Sequence, residues 1–173
     1  LLAEEIAAQR DLMAAESLER PVHPMPLRSR QLVEEVIERC RPYEAMSSCH
    51  LRLVDGASDV GFRSDRAIVS RVLGNLLNNA VEASQAGDVV SLGCGPADGG
   101  VEFLVRNPGV ISPEVQAQLF QRSFSTKGTG RGLGTYSVKL LTERYLQGRA
   151  SVASTEQAGT TFRMSVTDMR RLI

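Results

Sequence analysis

Three asparagines crowd five residues of the stretch RVLGNLLNNAVEAS: Asn75, Asn78 and Asn79. Further along, FSTKGTGRGLGTY (Phe124 to Tyr136) sets Gly130, Gly132 and Gly134 in alternation after Lys127 and around Arg131. If the first stretch is helical, Asn75 and Asn79 project from one side, a turn apart. Asparagine in a helix interior costs about 0.5 kcal/mol against alanine, and Lys or Glu would serve a merely solvated face better. The plain reading is still a solvated polar face. The sharper one is a set of neutral oxygen ligands held on rigid backbone, completing the shell of a magnesium ion that keeps its waters and takes other ligands from phosphates. Glycines in the second stretch would let backbone N–H groups converge on such phosphates. A helix starting at their end would add partial positive charge. The lysine precedes the glycines, so this is not the Gly-x-x-x-x-Gly-Lys-Ser/Thr loop. A flexible linker would need neither the basic residues nor a helix directly after it.

The elements that must position these residues follow from periodicity. Asp65 is placed to cap a helix running to about Ala86, with Ile68, Val69, Val72, Leu73, Leu76, Leu77 and Ala80 on the apolar face. Arg71, Asn75, Asn78, Asn79 and Glu82 fall on the other. A second helix is expected from Leu133 to Leu146, a third from Ser29 with Leu32, Val33, Val36, Ile37 and Cys40 inward, and a short one from Pro113 to Phe120. HLRLVD alternates like a strand ending in a turn at Asp55-Gly56. Val89–Cys94 and Val101–Arg106 form a hairpin across GPADGG, and Arg149–Ser154 with Thr160–Thr167 another. Hairpins separated by helices predict an α+β, two-layer sandwich: one mixed, mostly antiparallel sheet with helices on one face. Residues 1–20 lack Gly and Pro, and their stripe of Leu2, Ile6, Gln9 and Met13 suits pairing with another helix. The three prolines of PVHPMP mark residues 21–27 as a linker, leaving 28–173 as the domain.

Composition narrows the partners. Lys and Arg total 20, as do Asp and Glu, so no global charge favours nucleic acid or an anionic membrane. Three cysteines and two histidines show no metal-ligand spacing and read as buried thiols of a reducing, cytoplasmic setting. No apolar run reaches the ~18 residues of a membrane span, and no signal peptide is present. The chain starts at Leu1, which suggests a piece of a longer protein, one that could be membrane-anchored elsewhere.

NLLNNAVEA, VRNPGVIS, LFQRSFSTKGTGRGLG and AGTTF stand in the order typical of the GHKL ATPase superfamily, and over about residues 28–168 the chain resembles the ATP-binding catalytic domain of bacterial sensor histidine kinases. The resemblance implies a Bergerat fold with ATP between sheet and helices under a lid. It implies that Asn79 coordinates Mg2+ and that Asn75 supports the metal and phosphates. Gly130, Gly132, Leu133 and Gly134 would form the phosphate loop, with Lys127 and Arg131 supplying charge and Phe120 and Phe124 bordering the lid. Thr160 would lie near adenine, as would Asn107 and Gly109. There the chain departs from the family: the usual Asp-x-Gly-x-Gly reads Asn107-Pro108-Gly109-Val110-Ile111, with asparagine for aspartate, no second glycine and one residue fewer. An amide oxygen still accepts a hydrogen bond from the adenine amino group, but loss of the carboxylate charge weakens it by roughly 1 kcal/mol.

Asn75 and Lys127 are the candidate catalytic residues. Hydrolytic branches of the superfamily hold a glutamate at the Asn75 position, and an amide takes no proton at neutral pH. The expectation is therefore slow hydrolysis and transfer of the γ-phosphoryl group to a histidine outside this chain, since His23 and His50 have neither a helix nor an acidic neighbour. Residues 1–20 would then be the end of a dimerisation helix, with that hairpin and a response regulator as partners in a homodimer. Two other readings share the fold: an anti-sigma-type serine kinase, and a degenerate module acting by protein interaction.

Overall fold

A computed structural model describes residues 21–121 and 133–171; the expected helix over 1–20 lies outside the described residues. The elements in order are β1 (Pro24–Arg28), α1 (Ser29–Ser47), β2 (His50–Leu53), β3 (Gly61–Asp65), α2 (Arg66–Glu82), β4 (Val89–Ala97), β5 (Gly100–Asn107), α3 (Pro113–Gln118), α4 (Leu133–Tyr145), β6 (Ala150–Thr155) and β7 (Gly159–Thr167), then a 3-10 turn at Met169–Arg171. Five strands form one sheet in the order β2-β4-β5-β7-β6. Only β2 and β4 run parallel, and the other pairs are antiparallel, so the mixed sheet and its helical layer match the sequence expectation.

Alternation along β5 and β7 decides which face the helices cover. Val101, Phe103 and Val105 are buried opposite Val166, Met164 and Phe162. Glu102 and Arg163, one residue out of phase, meet in a salt bridge on the other face. On the covered face, α2 buries Ile68, Val69, Val72, Leu73, Leu76 and Leu77, and α1 buries Leu32, Val33, Val36 and Ile37. Each fully buried aliphatic side chain contributes about 1.5–3 kcal/mol, so this layer fixes α2 against the sheet. The helix ends at Glu82, four residues short of the expected Ala86, with Ala83 as its C-cap.

Part of the segment read as a linker is a strand. Pro24–Arg28 pairs antiparallel with Gly61–Asp65 in a separate two-stranded ribbon, where Leu27 and Phe62 supply the buried positions. Prolines suit such a ribbon because its outer edge needs no donors. Asp65 ties it to α2: Oδ1 accepts from the Ile68 N–H at 3.0 Å and Oδ2 from the His23 N–H at 3.0 Å. Beyond β7, Asp168 accepts from the Arg63 N–H and from Arg170 Nε at 2.9 Å. The Arg170 hydrogen bond holds its carboxyl at a pKa of about 2.

All three cysteines are buried and unbridged. Burial pushes the Cys40 and Cys94 thiols up, so both stay protonated and unreactive near neutral pH.

Candidate functional site

The apolar ladder between β5 and β7 ends on a polar rung. After Val105 opposite Phe162 comes Asn107 opposite Thr160, on the face the helices cover and equally buried. Thr160 Oγ1 donates to the Gly109 carbonyl at 2.7 Å and lies 2.8 Å from Ser154 Oγ. Ser154 Oγ accepts from the Ile111 N–H at 3.0 Å, and Gln116 Nε2 donates to the carbonyls of Ile111 and Ser154. This network holds the Asn107–Ile111 segment against the sheet edge. Two close approaches require glycine. A Cβ at Gly159, whose φ is +69°, would stand 2.3 Å from the Asn107 carbonyl oxygen, and one at Gly109 would stand 3.0 Å from the Ala83 carbonyl. The second contact brings the Asn107 segment to the C-terminal end of α2.

One turn before Ala83, about 6 Å along the axis, lies Asn79. The three asparagines of α2, all half-buried, prove to have separate surroundings. Asn78 Oδ1 accepts from Cys40 Sγ at 3.6 Å, a contact to α1. Asn75 Nδ2 donates to Ser137 Oγ at 3.2 Å, and that hydroxyl donates to the Gly134 carbonyl at 3.0 Å, tying α2 to the first turn of α4. Asn79 Nδ2 is buried with no partner. A Cβ at Gly134 would be 3.9 Å from both amide atoms of Asn79, so the start of α4 passes beside it. Asn78, counted on the same polar face from sequence, is thus a packing residue.

Asn75, Asn79 and Gly134 are therefore drawn together, as are Asn107, Gly109 and Thr160, and the two groups meet through the end of α2. Leu133 is the first residue of α4. Lys127, Gly130, Arg131 and Gly132, like Phe124, lie outside the described residues. Phe120 packs half-buried against the core. Sequence reasoning missed Ser137, Ser154 and Gln116, which orient the site from neighbouring elements. A Ser at the third position after a predicted phosphate-loop glycine is the one available signal, and it is weak.

The residues fit a magnesium nucleotide in kind. A buried polar atom without a partner costs about 1–3 kcal/mol, and the orphans here, Asn79 Nδ2 and Asn107 Oδ1, stand at the two ends expected to meet phosphate and base. Among the described residues no group of three His, Cys, Asp or Glu side chains could hold a metal. A metal there would need neutral ligands together with phosphate and water oxygens.

Residues 64–170 match the family model described as histidine kinase-, DNA gyrase B-, and HSP90-like ATPase. Among curated proteins, the histidine protein kinase SaeS of Staphylococcus epidermidis is 28% identical over 82% of this chain and 43% of its own length. The chain thus spans less than half of that relative. Among solved structures, full-length ShkA in complex with AMPPNP superposes with a TM-score of 0.82 at 21% identity, over 95% of this chain and 35% of that one. Histidine kinase ThkA in complex with the response regulator protein TrrA gives 0.79 at 19% identity, over 96% and 48%.

Proposed function

Because the chain belongs to the histidine kinase-, DNA gyrase B-, and HSP90-like ATPase family, we propose that it is the ATP-binding catalytic domain of a sensor histidine kinase, positioning MgATP for γ-phosphoryl transfer to a histidine on a dimerisation hairpin. The observation that carries this reading is the buried, unpartnered Nδ2 of Asn79 beside the first turn of α4. There Oδ1 would ligate the metal while Nδ2 donates to a phosphate oxygen. Magnesium, when bound, neutralises charge on the phosphates. The N-terminal amides of α4, at Leu133 and Gly134, would add partial positive charge, and Lys127, Gly130, Arg131 and Gly132 would complete the cradle. Asn107, Gly109 and Thr160 would hold the base.

Asn75 supports transfer over hydrolysis. Its Nδ2 is committed to Ser137, and its other end is a neutral amide oxygen, which removes no proton from water. In the whole protein, a homodimer, the partners would be its own dimerisation hairpin and a response regulator; ThkA is found in complex with the response regulator protein TrrA. SaeS and the sensor histidine kinase CusS of Escherichia coli bear histidine-kinase names, so neither the serine-kinase nor the interaction-module reading is favoured.

Titration with a fluorescent ATP analogue, with and without Mg2+, tests the proposal. Saturable binding should tighten with Mg2+, and Asn79→Ala should weaken the Mg2+-loaded form by about 10–100-fold and the metal-free form less, by the loss of the one phosphate hydrogen bond. No saturation up to millimolar nucleotide would refute it.

A further inference from the structure

The amide of Asn107 is unclaimed in a region where other polar side chains are engaged. Thr160, Ser154 and Gln116 satisfy one another and the backbone of residues 109–111 without it. Asn107 is 2% exposed, its Oδ1 has no partner, and no hydrogen bond of its Nδ2 occurs among the described residues. We propose that Asn107 makes the base pocket bispecific, accepting 6-oxopurine as well as 6-aminopurine nucleoside triphosphates. The inference rests on the nucleotide-binding reading above.

A carboxylate at this position only accepts hydrogen bonds. It would pair with a 6-amino group and repel a 6-keto oxygen. An amide has one accepting and one donating end. With Oδ1 toward the base it accepts from the 6-amino group of adenine. Rotated by half a turn about its terminal torsion, it presents Nδ2 to the 6-keto oxygen of hypoxanthine or guanine. That torsion is broad and roughly two-fold. Neither orientation sacrifices a hydrogen bond among the described residues, and either base gives a partner to the buried amide position that now lacks one. Gly109 leaves room for the turn: a Cβ there would stand 2.9 Å from Nδ2.

The test compares equilibrium affinities of the full chain for ATP and ITP, which share their phosphates and differ at the 6-substituent and the N1 proton. Both are measured with Mg2+ by competition against a fluorescent nucleotide. The expected result is an ATP-to-ITP preference within about 5-fold, widening beyond about 50-fold in Asn107→Asp, since a site built to pair with one group rejects its opposite by large factors. ATP binding with a preference above about 50-fold in the unaltered chain would overturn the inference while leaving nucleotide binding intact. An unchanged ratio in Asn107→Asp would place selectivity elsewhere and equally overturn it. If neither nucleotide binds, the underlying nucleotide reading fails first, and this inference with it. The comparison in the unaltered chain stands even if a buried carboxylate unfolds the variant.

Discussion

The two ends of the proposed site would solve opposite problems with different materials. At the phosphate end, Asn75 and Asn79 sit on a helix locked to the sheet by its apolar face, and the start of α4 comes to meet them. The chemistry proposed for them is generic: phosphates and magnesium look the same whatever base follows. At the other end, Asn107 and Thr160 close an apolar strand ladder, and a network from β6, β7 and α3 fixes the short segment after Asn107. In the proposed reading the base is recognised there. The proposed phosphate end carries the asparagine pattern that the resemblance describes, while the proposed base end has Asn107 in place of its carboxylate. In that reading selectivity could change at one end without disturbing the residues proposed to hold phosphate.

Breaking the base end by itself should have the largest effect. Gly159→Ala puts a methyl 2.3 Å from the Asn107 carbonyl oxygen at a φ of +69°, a clash with backbone that cannot move aside cheaply. The variant should lose about 3 kcal/mol of stability in urea unfolding and weaken ATP far more than tripolyphosphate. Equal weakening of both ligands would erase the distinction between the ends.

A change distant from both ends provides the control. The Asp168 carboxyl titrates near 2 when folded, below its ordinary value of 3.8, so its contribution is full above about pH 4 and disappears as pH falls toward 2. Asp168→Asn should cost about 1–2 kcal/mol at pH 7, with the gap to the unaltered chain closing by pH 2 in denaturant titrations. Affinity for ATP and for ITP should not change. The smallest effect belongs to Ser137→Ala, which removes the bridge from Asn75 to Gly134. Because Asn75 is only half-buried, water replaces part of the bond and stability falls by about 1 kcal/mol or less. ATP and ITP should weaken together, because this bridge serves the phosphate end.

The parts of this account that were legible in sequence share one property: a strict period. The core of α2 and the face of α1 were readable from spacing, and β5 was expected over Val101–Arg106, one residue short of Asn107. What spacing could not show is which of several residues on one face meets which neighbour. Asn78 and Asn79 are adjacent, yet one bonds Cys40 and the other has a partnerless nitrogen, because two helices flank α2 on different sides. The β1–β3 ribbon escaped because its prolines read as linker and its burial rests on Leu27 and Phe62. Ser154 and Gln116 reach the Asn107 segment from residues 38 positions apart, a contact no local pattern encodes.

The most direct test of the central claim follows the side-chain NH2 resonances of the α2 asparagines and Asn107 in an 15N-labelled sample as MgATP is added. The account predicts that Asn79 and Asn107 shift with a common saturation curve while Asn78, bonded to Cys40 on the α1 side, stays in place. Saturable binding that leaves Asn79 and Asn107 unmoved, or moves Asn78 as far as Asn79, would contradict it.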